Sequence, residues 1–304
     1  MLLAEDHELD DDLSELVTRG PLQGEASKGG NSSVYRAPWK DGFVAVKDYR
    51  ARSDFQTRAF REWNGLSMLW SSGLRIAPQP IAASPQTGRI VMEWIGEVQD
   101  SSLMSPEEAI ALLRELQRGD AAPTASSLGD AADAISSPEA LLEQVSARAV
   151  GLRGRTSVDA VVDEILDAHE LLGSHSPHAS DPIVVLSPSD FGPHNCIRGD
   201  QGLRIIDLEF FGWDDAHKLV ADTFLHPMNP WSDDERRVFV DSARDLYRLD
   251  DDRLGIVVQF AALKWATIIA ARANRCWSEG DLRNYATSLD LASTYAARAL
   301  ESWE

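Results

Sequence analysis

The sequence predicts an α+β chain in two lobes, a small β-rich lobe over residues 1–95 and a larger, mainly helical lobe over 96–304. Three observations predict it. Short alternating apolar stretches separated by turn residues occupy the first third. Helical periodicity takes over beyond Gly96 and is almost continuous over 232–302, in about three segments. The 304 residues, 43% of them hydrophobic, are enough for two cores on either side of a cleft.

Each element has a local reason. Ser27-Lys28-Gly29-Gly30-Asn31-Ser32-Ser33 is turn-rich and lies between β-prone stretches. Asp41-Gly42 reads as a tight hairpin turn between Val34-Tyr35-Arg36-Ala37 and the returning strand Phe43-Val44-Ala45-Val46-Lys47. From Asp54 to Trp70, Phe55, Ala59, Trp63, Leu66 and Leu69 recur at helical spacing, with Ser53 or Asp54 placed to cap. Two strands are expected around Pro85-Gln86-Thr87-Gly88. Ser105-Pro106-Glu107-Glu108 starts a helix with Ile110, Leu113 and Leu116 on its apolar face. Residues 119–137 read as an exposed excursion, 138–150 and 157–173 as helices, and His226-Pro227 as a helix end.

Composition narrows the function. A net charge of −20 argues against a nucleic-acid partner, which needs basic patches. It suits a cationic substrate in an acidic cleft, and equally a surface on which acids serve solubility. No apolar run reaches the ~18 residues of a membrane span. Met1-Leu2-Leu3-Ala4 runs into acids without a basic segment, so no signal peptide is expected. Cys196 and Cys276 are the only cysteines and give no metal-ligand spacing, which predicts a reduced cytoplasmic protein. His169, His175 and His178 form no helical metal pair and are expected to be exposed.

The chemistry concentrates in Leu186-Ser187-Pro188-Ser189-Asp190-Phe191-Gly192-Pro193-His194-Asn195 and the strand Leu203–Ile206 that leads to Asp207 and Glu209. An Asp, an Asn five residues on and an Asp at a strand end are what phosphoryl transfer needs. One carboxylate orients the attacking hydroxyl, while an amide oxygen and a second carboxylate hold Mg²⁺. Asp190 is the candidate catalytic residue, and Asn195 and Asp207 the candidate metal ligands. Glu209 faces the same side as Asp207 in an extended segment and either completes the metal shell or supports the loop. Lys47 ends its strand where an ammonium can reach ATP phosphates, and Glu62 on the next helix can hold it. Gly29, Gly30, Asn31 and Ser32 are placed to close over phosphates through backbone N–H groups. A Ser-His-Asp centre on Ser187 or Ser189 lacks a GxSxG elbow and leaves Lys47 and Asn195 without a role.

Together these residues resemble the aminoglycoside phosphotransferase and choline kinase-like family over most of the chain. The resemblance implies a bilobal protein-kinase-like fold, ATP and Mg²⁺ as cofactors, and a small-molecule hydroxyl acceptor. It implies that Glu93-Trp94-Ile95 is the hinge at the adenine. Acceptor walls are expected at Trp213-Asp214-Asp215 and on the helix carrying Lys264, Trp265, Arg272 and Asn274, with core packing the competing role for both tryptophans. Two positions depart from the family. Pro188-Ser189-Asp190 stands where His-Gly-Asp is usual, and Lys218-Leu219-Val220 where Asp-Leu-Ala is usual. A substitute brace is expected, with Asp215 or Asp222 supplying a carboxylate to the 186–191 backbone. The competing class is a nucleotide-binding module without transfer activity, which Pro188 favours and the retained Lys47, Asp190, Asn195 and Asp207 oppose.

Overall fold

The computed structural model describes residues 3–4, 11–18, 26–28, 32–96, 104–119, 124–174 and 180–303. Two compact units emerge: Met1–Ala132 with Leu186–Trp213, and Asp133–Val185 with Asp214–Glu304.

In the first unit, β1 (Leu3–Ala4), β2 (Ala26–Lys28), β3 (Ser33–Trp39), β4 (Gly42–Asp48), β5 (Pro80–Ser84) and β6 (Arg89–Glu93) form an antiparallel sheet in the order β1-β5-β6-β4-β3-β2. Period-2 alternation sorts β4. Val44 and Val46 enter a core with Ile81, Ala82, Val91 and with Leu13 and Val17 of helix α1 (Asp11–Thr18), so Ala45 and Lys47 face the other side. The hairpin turn falls one residue earlier than expected: Gly42 pairs with Trp39, leaving Lys40 and Asp41 to turn, with Lys40 at φ +50°. Helix α2 (Phe55–Ser71) buries Ala59, Trp63, Leu66 and Leu69 as their spacing predicts. Asp54 stands at its N-cap position without a side-chain cap bond, because its carboxylate pairs with Arg58 instead. Helix α3 (Pro106–Gln117) begins with the full capping box of Ser105 and Glu108.

The second unit is helical: α4 (Pro138–Leu152), α5 (Asp159–Gly173), α6 (Ala216–Leu225), α7 (Asp233–Tyr247), α8 (Asp251–Glu279) and α9 (Leu282–Arg298). Helix α6 gives way at His226, as expected. Helix α8 corrects the reading that no apolar run could span a membrane, since it is long and apolar enough to do so. Its apolarity has another cause in this structure. It is the core helix against which α4, α5, α6 and α9 pack, and most of its apolar stretch is buried. The chain passes between the units three times: between Ala132 and Asp133, and within the short strands β7 (Val184–Ser187) and β10 (Gly212–Asp215). Between them lies the hairpin of β8 (Cys196–Gly199) and β9 (Gly202–Ile205), in the first unit.

Candidate active site

Lys47, Glu62, Asp190, Asn195, Asp207 and Glu209 all lie in the first unit. Lys47 is 3% exposed, and its Nζ donates to Glu62 Oε1 at 3.0 Å and Asp207 Oδ1 at 2.8 Å. Burial alone would depress that ammonium, but the charges of Asp207 and Glu62 outweigh it and hold the pKa above the ordinary lysine value. Glu62 is fully buried. Its Oε1 also accepts the Leu208 N–H at 3.3 Å, and its Oε2 accepts the Tyr49 hydroxyl.

The β8–β9 hairpin delivers the candidate metal ligands. Cys196 pairs with Ile205, and Ile206 N–H donates to the Asn195 carbonyl at 2.9 Å, so Asn195 and Asp207 flank adjacent strand ends. The Asn195 amide nitrogen donates to the Asp190 carbonyl at 2.9 Å, so the amide oxygen is the acceptor this side chain has left to offer. Asp207 keeps 28% of its side chain exposed. An amide oxygen and a partly exposed carboxylate are a hard-oxygen donor set that fits Mg²⁺.

Glu209 is 2% exposed and pairs with Arg58 Nη1 at 2.7 Å. Burial, then the neighbouring Asp207 charge, push its carboxyl up to about 7 against the pull of Lys47 and Arg58. Arg58 also lies 4.8 Å from the centre of the Phe210 ring, and a Cβ on Gly65 would come within 2.8 Å of the Phe211 ring. Helix α2 is thereby keyed to the segment after Asp207 by charge and by close packing.

Asp190 is 37% exposed in its side chain, with His194 Nε2 3.3 Å from its Oδ1. Ser189 holds φ +67°, uncommon for a residue with a side chain. One bond within the loop and two to other segments of the same unit fix it: Ser187 Oγ accepts the Ser189 N–H at 3.0 Å, Ser189 Oγ donates to the Ala132 carbonyl at 3.2 Å, and Gln117 donates to the Leu186 carbonyl at 3.2 Å. These bonds correct the expected brace. Asp215 gives one oxygen to His217 and the other to Arg253, while Asp222 pairs with Lys264 at 2.6 Å and Lys218 at 3.4 Å. Lys218 is fully buried and also bonds Asp214 at 2.6 Å. Lys218 is therefore compensated by two aspartates of its own unit.

The acceptor walls expected from sequence fare differently. Asp214 and Asp215 are 2% and 0% exposed and committed to Lys218, His217 and Arg253, so they brace α6 rather than face a ligand. Trp213 donates its indole N–H to the Ala125 carbonyl at 3.1 Å. Lys264 is buried against Asp222, Trp265 lies edge-on to His226, Arg272 is exposed, and Asn274 bonds Ser157. His169 is half-buried and bonds the Leu142 carbonyl; His175 and His178 lie outside the described residues.

A largely apolar cavity of about 330 Å³ opens beside Lys47, lined by Val34, Ala45, Met92, Trp94, Ile95, Ile197 and Ile206 among others. Glu93 lines it too, but its carboxylate is held by Arg204 at 2.6 Å and the Gln79 N–H at 3.1 Å, and its own N–H bonds the Gln79 carbonyl. The carboxylate and N–H of Glu93 are therefore already engaged, and Trp94 and Ile95 complete that edge of the cavity. Gly199 lets the hairpin approach it, since a Cβ there would meet Ile95 at 2.6 Å. Of the expected phosphate loop, Ser32 precedes β3, and Gly29, Gly30 and Asn31 lie outside the described residues.

Sequence reasoning missed Tyr49, Arg58 and Arg204. Signals existed for the first two: Tyr49 is two residues beyond Lys47, on one face in extended chain, and Arg58 is one helical turn before Glu62.

The architecture matches solved structures across nearly the whole chain. The choline kinase LicA from Streptococcus pneumoniae superposes with a TM-score of 0.60 at 14% identity, over 95% of this chain and 97% of that one. LicA in complex with AMP gives 0.59 at 16% identity, over 94% and 96%. An aminoglycoside phosphotransferase from Alicyclobacillus acidocaldarius gives 0.55 at 13% identity, over 93% and 96%. The fold is that of these kinases. No sequence-family model matches the chain, and no curated protein does. The kinase-like fold is thus visible in three dimensions at identities where sequence comparison is silent.

Proposed function

We propose that this chain is a divergent member of the aminoglycoside phosphotransferase and choline kinase-like family, transferring the γ-phosphate of ATP to a hydroxyl of a small polar molecule. Residues 1–95 serve as the nucleotide-binding lobe and 96–304 as the lobe that carries the catalytic loop and binds the acceptor. The observation that carries the reading is the Lys47 ammonium held between Glu62 and Asp207, with Asn195 hydrogen-bonded to the Asp190 carbonyl on the neighbouring strand end. The kinase-like fold and the neighbour that binds AMP support it.

In this reading the cavity beside Lys47 takes the adenine against its apolar walls and the hinge backbone. Lys47 lies where it can pair with phosphate oxygens, and Glu62 keeps the ammonium oriented. Asn195 and Asp207 are the residues that would hold Mg²⁺, whose charge offsets that of the phosphates. Glu209, tied to Arg58, supports the segment after Asp207. Asp190 orients the acceptor hydroxyl and receives its proton as the oxygen bonds to the γ-phosphorus. The bond to the β–γ bridging oxygen breaks, and ADP leaves with that oxygen. His194, 3.3 Å from Asp190 Oδ1, restrains the carboxylate in the position required.

The acceptor class is an aminoglycoside, a sugar or an amino alcohol. The test is ADP release across a panel of the three with Mg²⁺ and ATP. Acceptor-dependent release that disappears in Asp190→Ala supports the assignment; nucleotide binding without transfer to any of them assigns the chain to the non-catalytic class.

A further inference from the structure

Glu62 presents two oxygens in a site with no water contact, and each needs a donor. Oε1 has Lys47 at 3.0 Å and the Leu208 N–H at 3.3 Å. Oε2 has the hydroxyl of Tyr49, which is itself fully buried. The same tyrosine turns its ring toward the lysine, with the centroid 5.1 Å from Nζ, within reach of a cation–π attraction. Tyr49 lies just past the end of β4, where its N–H bonds the Gly88 carbonyl at 2.9 Å and fixes the backbone. One side chain therefore touches both members of the Lys47–Glu62 pair.

We propose that Tyr49 is a positioning residue for Lys47, acting through its hydroxyl on Glu62 and through its ring on the ammonium. The hydroxyl remains a donor across the physiological range, because burial and the Glu62 charge raise its pKa well above that of a free phenol. With Oε2 bonded, the carboxylate cannot rotate away from Lys47. Without that bond, a buried carboxylate oxygen loses its partner, and the cheapest remedy is rotation that abandons the lysine. Phenylalanine would retain the ring and lose the hydrogen bond; leucine would lose both.

Two measurements test it on the full-length chain. The first needs no nucleotide: pulse acetylation with acetic anhydride, read lysine by lysine by mass spectrometry. Lys47 should react several-fold faster in Tyr49→Phe than in the wild type, and faster again in Tyr49→Leu, with the other lysines unchanged. The second rests on the phosphotransfer reading. In Tyr49→Phe, KM for MgATP should rise about tenfold with kcat changed far less, and that effect should vanish when Glu62→Gln is already present. A purely structural tyrosine would lower Tm without this coupling. Equal Lys47 acetylation in wild type and Tyr49→Phe overturns the proposal, as does a KM effect undiminished by Glu62→Gln. A wild-type chain without ATP turnover would remove the phosphotransfer reading, and acetylation would then decide the role of Tyr49 by itself.

Discussion

Two clusters of buried charge, one in each unit, differ in balance. Around Lys47, the cations Lys47 and Arg58 meet three carboxylates, Glu62, Asp207 and Glu209, and one of the acids remains partly exposed. In the second unit, Lys218 and Lys264 meet Asp214 and Asp222 one for one, with every side chain 7% exposed or less. Acid in excess at an accessible edge leaves capacity for an added cation. A matched and enclosed set leaves none, and each member is there to satisfy another. The pKa directions follow local pairing rather than the cluster as a whole. Asp222 is lowered because Lys264 and Lys218 overcome its burial, whereas burial raises Asp214 despite Lys218, and Glu209 is driven up by burial and by Asp207 beside it. Composition alone cannot distinguish a reactive cluster from a structural one; charge balance and access can.

The sharpest way to break the contrast is to strike the first cluster and its loop. Asp190→Ala should cut transfer by about 10²–10⁴-fold while leaving nucleotide affinity near the wild-type value, read by ADP release and equilibrium binding. Asp207→Asn should lower kcat/KM by about 10²–10³-fold and raise the Mg²⁺ concentration needed for half-maximal rate. Because it removes negative charge from a cluster with an excess of it, chemical unfolding should show little loss of stability.

Lys218→Met should behave in the opposite sense. Two enclosed aspartates lose their shared cation, so unfolding should cost less by about 3–5 kcal/mol, with kcat per folded molecule retained. Gly65→Ala probes the packing between helix α2 and the Phe211 ring. A methyl group 2.8 Å from that ring should destabilise by about 1–3 kcal/mol and raise KM for ATP as Glu62 shifts with its helix.

The smallest expected effect is a pH dependence in the second unit. Burial would raise Asp215, but His217 and Arg253 outweigh it and hold its pKa below the ordinary 3.8. A depressed folded pKa means that the unfolded chain takes up the proton first as pH falls. The contribution of Asp215 is therefore complete above about 3.8 and is lost as pH drops through the folded value. Asp215→Asn should be less stable at neutral pH and show a flatter acid limb in a Tm series from pH 6 to 2.

The part of this arrangement legible in the sequence was the part with fixed spacing. Asp190, Asn195 and Asp207 are joined by a short loop and a hairpin, so their order nearly determines their placement. Lys47 and Glu62 follow from a strand and the helix after it. What stayed hidden depends on partners distant in the chain. Asp214 and Asp215 looked like a solvent-facing acidic wall, because nothing near them announces Arg253 or the inward turn of Lys218. Tyr49 was hidden by its type: at the end of an apolar strand an aromatic residue reads as core, and only the position of Glu62 gives its hydroxyl a purpose. Most helical segments were readable, but α1 was not expected and α6 was marked only by its end at His226. The apolar length of α8 was read as too short to span a membrane, since its interruptions at Lys264 and Arg272 concealed a longer apolar, mostly buried stretch.

The Lys47–Asp207 cluster and Asp190 are proposed to make one phosphotransfer site. Its most direct test is transfer of γ-labelled phosphate from ATP to an acceptor panel, run in parallel for the wild type, Asp190→Ala and Lys218→Met below their unfolding temperatures. Mg²⁺-dependent labelling of an acceptor is expected with the wild type and with folded Lys218→Met, and none above background with Asp190→Ala. Labelling that survives in Asp190→Ala, or is lost in folded Lys218→Met, would contradict it.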